Sequence, residues 1–195
     1  MHKVFKTYFV KVDFTFAFDN AILFNASKKQ KEHSPTKRTQ DKNMKTNTYE
    51  LAKRFGMKAH EEKGLFIERH YENKNEKRAD SGSIYYFVDK DEKTDFHRID
   101  CDEYWCYNAG STLELWIIDL DGKLIIRKCG IAEDAEPTIY IPRGAIFASR
   151  HAKKCNDGTF ITAITVPRFE YEGFELFSKE VMIKKYPIIS RFWEE

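Results

Sequence analysis

Phe96-His97-Arg98-Ile99-Asp100-Cys101-Asp102-Glu103-Tyr104-Trp105-Cys106-Tyr107-Asn108-Ala109-Gly110 is the stretch from which the architecture can be read. Successive side chains of a strand point to opposite faces, so Glu103, Trp105 and Tyr107 share one face while Tyr104 and Cys106 take the other. His97 precedes Glu103 by six residues, which sets an imidazole across the strand start within reach of the carboxylate. Further on, Ile141-Pro142-Arg143-Gly144-Ala145-Ile146-Phe147 carries a Pro-x-Gly that reads as a turn with no chemistry of its own.

Around this stretch, short apolar or alternating runs recur between turn signals: residues 64–71, 83–88, 103–107, 113–119, 123–128, 138–141, 147–150 and 159–166. Eight short strands at this spacing predict an all-β sandwich or barrel. Asp121-Gly122 and Asp157-Gly158 are hairpin signals, because both central positions of a type I′ turn need positive φ. Ahead of the strands, Asn47 and Glu50 have capping-box spacing, Leu51 and Phe55 share a helical face, and Gly56 suits the C-terminal cap, which predicts a short helix. After them, Phe174 to Lys185 carries Leu176, Phe177, Val181 and Ile183 and predicts a helix packed outside, ended by Pro187.

The 195 residues, 42% apolar, suffice for one buried core. Residues 1–46 read as an extension, Phe-rich to residue 25 and then polar and basic with little to bury, hence disordered; residues 47–195 form the domain. Of the 33 Lys/Arg and 31 Asp/Glu, nine and four fall in residues 1–43, leaving a net of −3 for the rest. A mildly acidic body argues against nucleic acid as a partner. No run approaches eighteen uncharged apolar residues, so no membrane partner is expected either. Cys101, Cys106, Cys129 and Cys155 form no C-x-x-C pair and read as free thiols in a reducing compartment. Lys6, Lys11, Asp13 and Asp19 interrupt any secretory leader, and a cytoplasmic location is expected.

His97, Glu103 and Gly110 resemble the first cupin motif, G-x5-H-x-H-x3,4-E-x6-G, and Pro142-Arg143-Gly144 resembles part of the second, G-x5-P-x-G-x2-H-x3-N. In that comparison Ile99 stands at the second histidine and Phe147 at the third. Neither can donate a lone pair, so a three-His, one-Glu metal site cannot form. A 2-His-1-carboxylate set would need an outside recruit such as His70 or His151; no metal and no other cofactor is expected. Residues 55–66, Ser83-Ile84-Tyr85-Tyr86-Phe87, residues 96–105, Leu113-Glu114-Leu115 and residues 166–176 further resemble the DUF985, or cupin-5, family of the RmlC-like cupin superfamily. That resemblance implies a double-stranded β-helix, a jelly-roll barrel commonly found as a homodimer, with a pocket in its mouth.

With Glu103 and Trp105 facing the lumen, as the resemblance implies, Phe66, Glu68 and His70 alternate on the first core strand and make Glu68 a second carboxylate for the same space. A carboxylate in an aromatic-lined barrel has its pKa raised by desolvation, and a histidine beside it can share its proton. The pair His97 and Glu103 is therefore the candidate catalytic couple, with Glu68, Tyr85, Trp105, Tyr107 and Phe147 as candidate ligand-binding residues. Metal-free sugar epimerases with this barrel use a histidine, a carboxylate and a tyrosine; Tyr85, Tyr107 or Tyr140 could supply the phenol. The expected ligand is a small, polar, sugar-like metabolite. The readings kept beside an epimerase or isomerase are a non-catalytic or stress-associated binding module, with His97 and Glu103 as a structural pair, and a metal-dependent dioxygenase. Trp105 and Phe147 also fit plain core packing, and His60 and His151 read as loop residues.

Overall fold

The computed structural model describes residues 47–71 and 78–194; the expectations for residues 1–46 lie outside them. Asn47 caps the first helix, α1 (Thr48–Arg54), its side chain accepting from the Tyr49 and Glu50 amides at 3.1 and 3.3 Å. That satisfies donors the first helical turn leaves without intrahelical partners. Gly56, at φ 63°, turns the chain away.

Eleven strands follow: β1 (Lys58–Ala59), β2 (Leu65–Tyr71), β3 (Gly82–Val88), β4 (His97–Arg98), β5 (Asp102–Gly110), β6 (Leu113–Ile118), β7 (Leu124–Cys129), β8 (Thr138–Ile141), β9 (Ile146–His151), β10 (Thr159–Val166) and β11 (Glu175–Leu176). They build two antiparallel sheets, in the orders β1-β2-β3-β10-β5-β8 and β11-β4-β9-β6-β7. All eight expected strands are present, and the three added ones are two-residue strands, β1 and β11 at sheet edges and β4 between β11 and β9.

The inner faces meet in one cluster, with Trp105, Ile139 and Ile161 from the first sheet against Leu113, Leu115, Ile117 and Phe147 from the second. Alternation sends the intervening Trp116 and Ile118 outward, where Met182, Ile189 and Phe192 of the C-terminal segment cover them. The outer face of the first sheet is covered in the same way by α1, with Ala52 on Phe87 and Phe160. Burying side chains of this size is worth about 1.5–3 kcal/mol each, so both covers contribute to the sandwich they enclose.

Two local expectations are corrected. Asp121 does not have positive φ; only Gly122 does, at 80°. The Asp119 carboxylate accepts from the Asp121 and Lys123 amides at 3.0 and 2.8 Å, and Gly122 N–H returns to the Asp119 carbonyl at 3.0 Å. The turn is thus an aspartate-closed type I turn with a left-handed glycine, another usual hairpin solution. The C-terminal helix, α2 (Lys179–Lys185), is shorter than expected, because Ser178 caps it by accepting the Val181 amide. The residues before it pair as β11 with β4, Leu176 opposite His97, and the Phe177 amide donates to the Phe96 carbonyl at 2.8 Å. The unpaired edge of β4 thus takes backbone that periodicity alone assigned to a helix.

Candidate functional site in the barrel mouth

His97 opens β4 with 2% of its surface exposed. Its Nδ1 lies 2.9 Å from the Asp95 carbonyl and its Nε2 lies 2.8 Å from Glu62 Oε2. Both partners are acceptors, so with Glu62 ionised both ring nitrogens must carry hydrogen, and the pair is an imidazolium against a carboxylate. Burial works against charge on His97, but the Glu62 charge and hydrogen bond and the Asp95 carbonyl outweigh it and raise its pKa. Burial likewise pushes Glu62 up, yet His97, with His60 and Tyr86, holds it below the usual carboxylate value.

The partner of His97 is therefore Glu62 rather than Glu103. Glu62 sits in the turn between β1 and β2, where Lys63 at φ 75° and Gly64 at φ 74° bring the chain back toward the barrel. Its neighbours Glu61 and Lys63 are exposed while Glu62 is 7% exposed. The Asp95 amide donates to the Glu62 carbonyl at 2.9 Å, tying the turn to the entry of β4. A left-handed lysine costs of order 1 kcal/mol and persists only where surrounding contacts over-determine it.

Glu103 lies inside, as its place on β5 suggested, and its Oε1 accepts from Trp105 Nε1–H at 3.0 Å. Burial and the nearby Glu62 charge push its carboxyl up to about 7, against the pull of His97 and Trp105. His60 completes the group: its Nδ1 accepts the Glu62 amide at 3.4 Å and lies 4.0 Å from Glu62 Oε2. Burial lowers its pKa, so the ring is neutral, with its proton on Nε2.

These four groups line a pocket of about 310 Å³ bounded also by Phe66, Glu68, Ile99, Thr165, Arg168 and the segment Phe169-Glu170-Tyr171-Glu172. The volume is at the lower end of small-molecule sites. Glu68 stands at the rim, half-exposed, receiving Arg168 Nε and Nη2 at 3.1 and 2.7 Å.

The other expected ligand-binding residues lie elsewhere. Tyr85 faces outward, packed on Phe55 and Phe160 under the Arg69 guanidinium. Tyr107 lies among the core residues, outside the pocket lining, its hydroxyl donating to the Gly110 carbonyl at 2.7 Å. Phe147 and Trp105 are core residues, edge-on to one another at 6.0 Å; Phe147 also backs the His97 ring at 4.1 Å. Tyr140 is on the outer face, donating to Asp102 at 2.9 Å. Among the described residues the tyrosine that does line the pocket is Tyr171, which opens a short 3-10 turn with no periodic signature. His70 is exposed, and His151 bonds Thr159 rather than any residue of the site.

The donor chemistry does not fit the metal set usual in this barrel. Ile99 and Phe147 stand at two of its positions, and His97 has both ring nitrogens committed within the protein. Among the described residues no group of three or more potential ligands is arranged to hold a metal ion.

Comparison with known proteins agrees with this architecture. A crystal structure of a protein from Shewanella oneidensis superposes with a TM-score of 0.67 at 27% identity, over 73% of this chain and 91% of that one. A hypothetical protein from Leishmania major does so with a TM-score of 0.65 at 24% identity, over 73% and 93%. No curated protein matches the chain. No helix among the described residues is long and apolar enough to cross a membrane. Residues 49–177 match the family described as Cupin superfamily (DUF985), Cupin_5. With its two antiparallel sheets, its barrel-mouth pocket and this match over most of its length, the chain belongs to the DUF985 family of the cupin superfamily.

Proposed function

We propose that the chain binds a small, polar, hydroxylated metabolite in the barrel mouth and moves a proton on it, as an epimerase or isomerase does. The observation that carries this reading is Glu103, a buried pocket-lining carboxyl whose pKa of about 7 poises it between acid and base at neutral pH. In the reaction proposed, the Glu103 carboxylate takes a proton from a carbon next to a carbonyl, the C–H electron pair passes into the enediolate, the proton on Glu103 exchanges with solvent, and Glu103 returns a solvent-derived proton to carbon as the enediolate collapses to the carbonyl. Neutral His60, with its proton on Nε2, is the donor assigned to the developing oxyanion, a role that suits an imidazole whose pKa is held down. The Glu62–His97 ion pair is a fixed dipole beside these two groups. It keeps His60 oriented through the Glu62 amide and raises Glu103 through the Glu62 charge.

Incubation with a panel of aldoses, ketoses and amino sugars in D2O tests the reading. Mass spectrometry is expected to find carbon-bound deuterium in a panel member that binds, and Glu103→Gln is expected to lower that exchange by about 10²–10⁴-fold at saturating ligand. Saturable binding without exchange in the wild-type protein would favour the non-catalytic module, a reading consistent with His97 being fully satisfied inside the protein. Stoichiometric iron, manganese, nickel or zinc in untagged protein would overturn the metal-free scheme. The homodimer implied by the family is part of the same proposal, and sedimentation velocity checks it.

A further inference from the structure

The charges around the pocket narrow the ligand further, on the reading that the barrel mouth is the binding site. Among the described residues, five carboxylates line it (Glu62, Glu68, Glu103, Glu170 and Glu172), against one guanidinium, Arg168, and the His97 imidazolium. Both cations are engaged from inside the lining, His97 by Glu62 and Arg168 by Glu68. Glu170 has an outside partner, Arg78 Nε at 3.7 Å, on a guanidinium that binds Asp100 at 2.6–2.8 Å. Thus among the described residues no uncommitted cation faces an incoming phosphate or carboxylate, while Glu103 and Glu172 remain to meet a positive charge. Glu103 is 7% exposed, and among the described residues only its Oε1 has a hydrogen-bond partner; the other oxygen is left to the pocket.

The second, independent observation is the wall beside these carboxylates. Phe169 and Tyr171 meet edge-to-face at 5.0 Å, Tyr171 lies roughly parallel to His60 at 6.4 Å, and Phe66 contacts His60 at 4.7 Å. Aromatic faces attract cations through their quadrupole, by about 0.5–2 kcal/mol per ring as water is excluded. Aromatic rings with nearby carboxylates and no free base make a site for an organic cation.

We propose that the metabolite held in this pocket carries a positively charged nitrogen, seated between the Phe169–Tyr171 wall and the carboxylates of Glu103 and Glu172. An amine- or ammonium-bearing hydroxylated compound satisfies both halves of the site, and a phosphorylated or carboxylated one is repelled. Binding such a cation also favours the ionised form of Glu103, so arrival of the ligand converts this residue from acid to base.

A charge series on one skeleton tests this: choline, its neutral isostere 3,3-dimethyl-1-butanol and the anion 3,3-dimethylbutanoate, titrated into the full-length protein by calorimetry near pH 7. Choline is expected to bind about tenfold or more tighter than the neutral isostere, with no binding of the anion. Tyr171→Leu, which keeps apolar bulk without the ring, and Glu172→Gln are each expected to weaken choline several-fold. Both positions are exposed, so folding should be unchanged. In buffers of different ionisation enthalpy, choline should release protons from wild type and not from Glu103→Gln. Equal or tighter binding of the neutral or anionic compound, or no saturable binding of choline, overturns the proposal. Because this series reads equilibrium binding alone, a cation preference without deuterium exchange would sink the catalytic reading and leave this one standing.

Discussion

Glu103 and Tyr107 stand on the same face of β5, four residues apart, at opposite ends of the barrel. Around Glu103 the strands leave a pocket lined by charged and aromatic side chains. Past Tyr107 the barrel is shut by its own backbone: a Cβ on Gly110 would lie 2.0 Å from the Gly158 carbonyl, and the Ser111 amide donates to that same oxygen at 3.3 Å. His151 and Thr159 extend this closure, the Thr159 hydroxyl donating to the Ser111 carbonyl at 2.6 Å. One alternating face therefore serves both ends. Whether a polar group on it becomes a reactive acid or a structural hydrogen bond depends on what covers it.

The sharpest way to break this contrast is at Glu62. Glu62→Ala leaves the buried His97 imidazolium without its counter-ion and is expected to lower stability by about 3–5 kcal/mol, measured by urea unfolding near pH 6. Glu62→Gln should do less damage, since His97 can discard its proton, and NMR titration should then find the His97 pKa lowered. In the wild type the pair stabilises most between the ordinary values of its members, 4.5 and 6.5. The Glu62 contribution is lost as pH falls through its depressed folded value, and the His97 contribution as pH rises through its raised one.

Glu103 reverses the sign. Its folded pKa of about 7 exceeds the ordinary 4.5, so stability is full below pH 4.5, declines as pH rises toward 7 and levels off above. Glu103→Gln is expected to remove that decline and to stabilise the protein at pH 8 by about 3 kcal/mol or less, read as the difference between unfolding curves at pH 5 and pH 8. A variant that is more stable and inert is what a strained reactive acid predicts. At the closed end, Tyr107→Phe removes one hydrogen bond, to the Gly110 carbonyl, and should lower stability by about 1 kcal/mol with no change in the pH profile between 5 and 8. A pH-dependent effect there would mean that the two ends are not separate environments.

Most of the barrel was legible from alternation and turn residues, because a strand with one wet and one dry face must repeat every second residue. The same rule put Glu103 and Trp105 on one face, which the family resemblance turned inward, and they are joined by the indole hydrogen bond. It could not select the partner of His97. Glu62 is in a turn, in a charged run from His60 to Lys63 that looks solvated, and is turned inward by left-handed backbone at Lys63 and Gly64. Sequence spacing suggested Glu103 as the partner because six residues looked like proximity, whereas the contact is made between segments 35 positions apart. Tyr85 and Tyr107 were misplaced for related reasons. Tyr85 lies on the face that α1 covers, and Tyr107 lies toward the closed end of the barrel, packed against the core.

By itself the amino-acid sequence determined the all-β class, the approximate extent of the eight longer strands, the capped helix and the shared face of Glu103 and Trp105, since all of these follow from local periodicity and backbone preference. It also determined that a three-His, one-Glu metal site is absent, since Ile99 and Phe147 have no lone pair to offer. Only the tertiary structure decided that His97 is paired with Glu62, that His60 and Tyr171 join the pocket, and that Glu103 is left at the floor with its proton near neutrality. Those outcomes depend on which distant segments exclude water from one another and how their charges then meet, and burial and electrostatics of that kind have no sequence period.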